Sequence, residues 1–158
     1  MRAIAADRRL EAIAGKPDAV VEGSRGIVRF TPPQPAVCIA AVGEIIPSSA
    51  EQALFRYGRP ENLQSVRLLP DGELRLIRGA RGWRDATRVW GYLVTTPDTD
   101  PAVHVGQHND RDAHWQGRIY AALYFRTLTE TQALRACHWL AARYRLGNLE
   151  MPHTHTHT

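Results

Sequence analysis

Lysine is almost missing from this chain: of its 20 basic residues only Lys16 is not an arginine. GC-rich coding favours the same bias, so the count alone does not mark a binding surface. Cysteine is scarce as well. Cys38 and Cys137 each fall inside an apolar segment, where a reduced thiol behaves as a small hydrophobe, and no disulfide is needed to hold the fold. No stretch of about 18 apolar residues is present to span a bilayer. The opening Met1-Arg2-Ala3-Ile4-Ala5-Ala6-Asp7-Arg8-Arg9 has no apolar core behind its first charge, so neither a secretory leader nor a membrane anchor is expected and the location read from the sequence is cytoplasmic.

Several catalytic signatures are also missing. Gly79-Ala80-Arg81-Gly82 has neither the P-loop nor the dinucleotide spacing, and no Gly-x-Ser-x-Gly elbow occurs. Cys137 and His138 are neighbours on a segment that reads as helix, so their side chains diverge by about 100° and cannot act as a nucleophile and its base.

What is there suits one α+β domain. With 158 residues, 44% of them hydrophobic, the chain can enclose a single core. Residues 1–150 are read as that domain and 151–158, Met-Pro-His-Thr-His-Thr-His-Thr, as a flexible tail. The expected architecture is a mostly antiparallel sheet of four to six strands with about three helices. A short amphipathic helix is predicted over 3–14, ending at Gly15, and a strand over 26–30. The continuously apolar Ala36–Val42 suits a central strand covered on both faces. Ser48 and Glu51 have capping-box spacing, which predicts a helix to about Tyr57. Period-two alternation around Pro70-Asp71-Gly72 predicts a hairpin in which a three-residue loop pairs Arg67 with Arg75 and puts Val66, Leu68, Leu74 and Leu76 on one face. Gly79–Trp83 reads as a loop, 87–95 as a strand, 103–115 as a polar loop and 117–125 as a strand. A second capping box, Thr129 with Gln132, opens a last helix over about 129–146, packed on the sheet through Leu134, Cys137, Leu140, Ala141 and Tyr144 and closed by Gly147.

Charge is distributed unevenly. Residues 65–95 carry six arginines, Arg67, Arg75, Arg78, Arg81, Arg84 and Arg88, against Asp71, Glu73 and Asp85, which accounts for three of the four net positive charges. Alternation along 87–95 sets Arg88, Trp90 and Tyr92 on a common face. Guanidinium groups interleaved with aromatic rings on a sheet can hold single-stranded nucleic acid, arginine on phosphate and bases stacked on rings. The leading expectation is therefore a non-enzymatic binding protein, without a cofactor, whose partner is nucleic acid or a nucleoprotein; an acidic protein surface is the related alternative. The bland reading is a solvated basic surface over packed aromatics. A second candidate is the run from His104 to His114. His104, His108 and His114, with Asp110 and Asp112, could supply zinc ligands for a metal-dependent hydrolase, although the spacing matches no closed ligand set.

The order of parts from Ala36 onward resembles that of zinc-dependent N-acetylmuramoyl-L-alanine amidases: an apolar strand, a short helix, a strand-turn-strand with Pro70-Asp71-Gly72, then His104-Val105-Gly106 and a final helix. In that family a metal-binding histidine follows the first strand. Here Ala40-Ala41-Val42-Gly43-Glu44 has none, and no Ile-Gly-Ile-Glu follows His104-Val105-Gly106. The likeness is therefore not adopted as an assignment.

Overall fold

A computed structural model of the chain describes residues 4–24, 26, 28–31, 37–106, 114–126 and 128–144. The apolar segment expected as a central strand is one. β3 (Val37–Glu44) lies between β8 (Arg88–Thr95) and β10 (Ile119–Phe125), antiparallel to both. β1 (Ala19–Ser24) and β7 (Arg81–Arg84) take the edges, giving the order β1-β10-β3-β8-β7. Residues 37–42 of the strand are all apolar because each of its faces meets a different core. Val37, Ile39 and Ala41 enter one; Cys38, Ala40 and Val42 enter the other.

The first of these cores is closed by a second antiparallel sheet. It contains β2 (Val28–Phe30), β9 (Val103–Val105), β4 (Gln52–Tyr57), β5 (Gln64–Leu68) and β6 (Leu74–Ile77), side by side in that order. Phe55, Tyr57, Val66, Leu68, Leu74, Leu76, Val103 and Val105 point from it towards the first sheet. The second core lies under two helices, α1 (Arg8–Ala14) and α2 (Glu130–Tyr144), on the far side of the first sheet. The molecule is thus a three-layer α+β structure of helices, inner sheet and outer sheet. No helix among the described residues is long and apolar enough to cross a membrane.

Where the sheets approach, glycine makes room. Gly82 and Gly91 sit opposite each other on β7 and β8, and Val66 of the outer sheet fills the space above them. A Cβ on Gly91 would lie 2.8 Å from Val66 Cγ2 and 3.0 Å from the Arg81 carbonyl oxygen.

The hairpin has the register expected. Arg67 pairs with Arg75, Leu68 with Leu74 and Val66 with Leu76; Leu69 N–H donates to the Glu73 carbonyl, and Gly72 supplies the positive φ of 90°. The last helix carries its capping box: Gln132 N–H donates to Thr129 Oγ1 at 3.1 Å, and Thr129 N–H donates to Gln132 Oε1 at 2.9 Å. Its buried side is Ala133, Ala136, Cys137, Leu140 and Ala141, a stripe turned slightly from the expected one, with Leu134 at its exposed margin. Gly147 and the tail 151–158 lie outside the described residues.

Four expectations are corrected. Among the described residues the strands number ten in two sheets, because Ala19–Ser24 also forms a strand and both faces of the inner sheet are covered. The α-helices among the described residues number two, because the helix expected over 48–57 is instead a turn leading into strand β4. Ser48 Oγ caps only a turn, accepting from Ala50 N–H at 3.1 Å, and the Glu51 carboxylate turns to arginine rather than to a backbone donor. Cross-strand bonds to β5 and β9 then override the local helix signal. The glycine-rich 79–83 contributes most of β7, its two glycines being needed at the sheet contact or the turn. The polar 103–115 begins as strand β9, with His104 between two inward valines.

Candidate anion-binding face

The outer sheet is built from repeated triplets in which one basic residue stands between two apolar ones: Val28-Arg29-Phe30, Phe55-Arg56-Tyr57, Val66-Arg67-Leu68, Leu74-Arg75-Leu76 and Val103-His104-Val105. Burying the flanking pair sends the middle side chain to the opposite face. All five strands therefore present a basic residue outward. Register sets them in two aligned groups: Arg29 is opposite His104 and His104 opposite Arg56, while Arg67 is opposite Arg75; between β4 and β5 the row steps by two residues, since Arg56 is opposite Ser65. Four interstrand steps of about 4.8 Å spread this stepped set roughly 19 Å across the sheet.

The side chains differ in exposure. Arg29 and Arg75 are exposed, Arg56 is half-buried, and Arg67 and His104 are buried among their neighbours. Arg56 Nη1 lies 3.4 Å from His104 Nδ1. A guanidinium can only donate, so any hydrogen bond between the two has Nδ1 as the acceptor. Arg56 Nε is buried without a hydrogen-bond partner. Among the described residues, Glu51 is paired with this row: its carboxylate accepts from Arg67 Nη1 and lies 3.6 Å from Arg75 Nη1. Burial pulls the Arg67 guanidinium below its ordinary pKa while Glu51 pulls it back up. Like charges facing each other across strands repel. An anion laid between them would relieve that repulsion.

The expected site residues are separated by this architecture. Arg67 and Arg75 lie on the outer face. Arg88, Trp90 and Tyr92 do share a face of β8, but it is the one under the helices: Trp90 is 0% exposed and Tyr92 6%. Trp90 stacks on Trp83 with ring centroids 6.5 Å apart, and Tyr92 Oη donates to Glu130. Both rings are thereby unavailable for stacking on bases. Arg88 donates to Thr87 Oγ1 and lies 4.9 Å from the Tyr120 ring centre. Arg81 pairs with Glu130 at 3.7 Å, and Arg84 donates to the Gly72 and Asp85 carbonyls, tying β7 to the hairpin turn. Arg78 sits on the turn after β6 with φ 52°, exposed and beside a polar groove that Arg59 and Asp98 also line. The sequence reading missed Arg29 and Arg56. The signal that finds them is the triplet pattern, which becomes visible only once β4 and β9 are known to be strands.

Of the metal candidates, His104 has Nδ1 turned to a guanidinium and belongs to the basic row, and His114 is half-buried with its carbonyl accepting from Gln116 Nε2. His108 lies outside the described residues. Among the described residues no three His, Cys, Asp or Glu side chains are grouped to hold an ion. No protein-family model matches the chain, and neither curated proteins nor solved structures give a match.

Proposed function

We propose that this chain is a non-enzymatic binding module that holds nucleic acid by its phosphates across the outer face of the sheet β2-β9-β4-β5-β6. The observation that carries the reading is that Arg29, Arg56, Arg67, Arg75 and His104 share one face of five adjacent strands, in two cross-strand groups, Arg29–His104–Arg56 and Arg67–Arg75. The outer-sheet aromatics Phe30, Phe55 and Tyr57 belong to the intersheet core, so base stacking contributes nothing on this face. Recognition is electrostatic and indifferent to base sequence.

Fluorescence anisotropy of labelled single-stranded and duplex oligonucleotides at two salt concentrations tests this. Binding is expected to fall steeply with salt and to vary little with base sequence. The double variant Arg56→Glu, Arg75→Glu should bind at least about tenfold more weakly, since each lost charge-assisted contact is worth about 1.5–3 kcal/mol. No binding at low salt, or an unchanged affinity in a variant whose circular dichroism matches the parent, overturns the proposal and makes an acidic protein surface the next partner to try.

A further inference from the structure

A second basic site lies in the helical layer, on the opposite side of the inner sheet from the outer sheet. A cleft of about 390 Å³ opens between α1 and α2, lined by Asp7, Arg8, Arg9, Trp139, Ala142 and Arg143. That volume is within the range of small-molecule sites. Its charges are unequal. Asp7 is committed as the N-cap of α1, its Oδ1 accepting from Arg9 N–H at 2.8 Å and Leu10 N–H at 3.1 Å. Arg8 and Arg9 are exposed and form no ion pair among the described residues, whereas Arg143 lies 3.7 Å from Glu22. The cleft also has a planar wall. The Arg143 guanidinium lies over the Trp139 ring, 5.4 Å from its centre, and over the Tyr144 ring at 5.7 Å.

Free guanidinium groups beside an indole–guanidinium stack are complementary to a ligand that joins an anion to a flat ring. An anion alone would leave the aromatic wall unused, and an apolar ring alone would leave Arg8 and Arg9 unanswered. We infer that this cleft binds a nucleotide unit, with its phosphate on Arg8 and Arg9 and its base against Trp139 and Arg143. The site is independent of the outer-sheet face and needs none of its residues.

Tryptophan emission reports on it selectively. Of the four tryptophans, Trp83, Trp90 and Trp115 are buried at 1%, 0% and 5% exposure, while Trp139 is half-exposed. AMP titrated into the full chain should quench emission saturably, with half-saturation below roughly 10 mM, a weak-site affinity by ordinary standards. Adenosine alone and inorganic phosphate alone should each need at least about tenfold more ligand, because each makes only part of the contacts. Arg8→Ala with Arg9→Ala changes exposed side chains only; it should weaken AMP about tenfold or more without moving the urea midpoint. Trp139→Phe should remove the quenching signal. Quenching that fails to saturate, that survives the Arg8/Arg9 change, or that phosphate competes away as tightly as AMP overturns the inference. A short oligoadenylate used in place of AMP separates a free nucleotide from one within a strand: tighter binding of the strand assigns the unit to nucleic acid, and equal binding to the free nucleotide. The Arg56→Glu, Arg75→Glu protein must quench as the parent does, so loss of the outer-face site and loss of this one are told apart.

Discussion

Glu51 lies between Arg67 and Arg75, where a phosphate oxygen would sit under the proposed function. Its carboxylate touches both guanidinium groups, and it precedes β4 in a segment that is neither helix nor strand. It is a counter-ion for a buried arginine and, under that proposal, also an internal competitor for the ligand. These roles predict opposite effects from one substitution. Glu51→Gln keeps an amide oxygen for Arg67 but removes the charge. Anion affinity should rise about threefold, the scale of one partly screened charge pair, while stability should fall by about 1–3 kcal/mol, because a buried guanidinium loses its ionised partner. Anisotropy at fixed salt and a urea titration on the same preparation measure the two. Affinity and stability falling together would mean that Glu51 only organises the face.

At the scale of elements, the hairpin and the last helix were legible because each is specified locally. Gly72 demands one loop geometry, that geometry fixes which residues face each other, and Thr129 with Gln132 marks a helix start regardless of what packs on it. The segment 48–57 was misread because its signals conflict: Ser48 and Glu51 have cap spacing, while Ala53-Leu54-Phe55-Arg56-Tyr57 suits either a helix or a strand buried on one face. Partners distant in sequence, β5 and β9, decide it. The candidate site inherited this error, since Arg56 and His104 join Arg67 only when β4 and β9 are strands. The second error was to assume one sheet, which placed Trp90 beside Arg75 instead of a sheet away. Glycine carries the overlooked clue: Gly82 and Gly91, facing each other on neighbouring strands, mark where a second layer comes close. Gly91→Ala places a methyl group against Val66 and the Arg81 carbonyl, neither of which can retreat without moving a strand. The expected cost is about 1–3 kcal/mol, the usual range for overpacking a filled core, read as a lowered urea midpoint with unchanged m-value. A neutral result would show that the sheets can separate slightly at this point.

For the whole molecule, the three layers make the stability of the inner sheet depend on α2. Cys137 on that helix and Cys38 on β3 are both fully buried in the core beneath it, and Cys137 Sγ lies 3.5 Å from the Gly91 carbonyl oxygen. Burial raises both thiols above their ordinary pKa, so the reactive thiolate is suppressed as well as shielded. Neither thiol should be labelled until α2 lifts, and lifting uncovers both. Labelling under native conditions is then expected to be slow and to modify the two cysteines at similar rates, as a single opening event would. The helix cap provides the control. Thr129→Ala removes the hydroxyl that accepts from Gln132 N–H and should weaken α2 by about 1 kcal/mol. If opening is detachment of the helix, with closing fast relative to labelling, both rates should rise about fivefold. If Cys137 alone accelerates, the helix frays without exposing the sheet; if neither does, the thiols are reached only through global unfolding along a route that does not begin at this end of α2. Mass spectrometry of peptides from the partly labelled chain distinguishes these outcomes, because it reads the labelling rate of each cysteine separately.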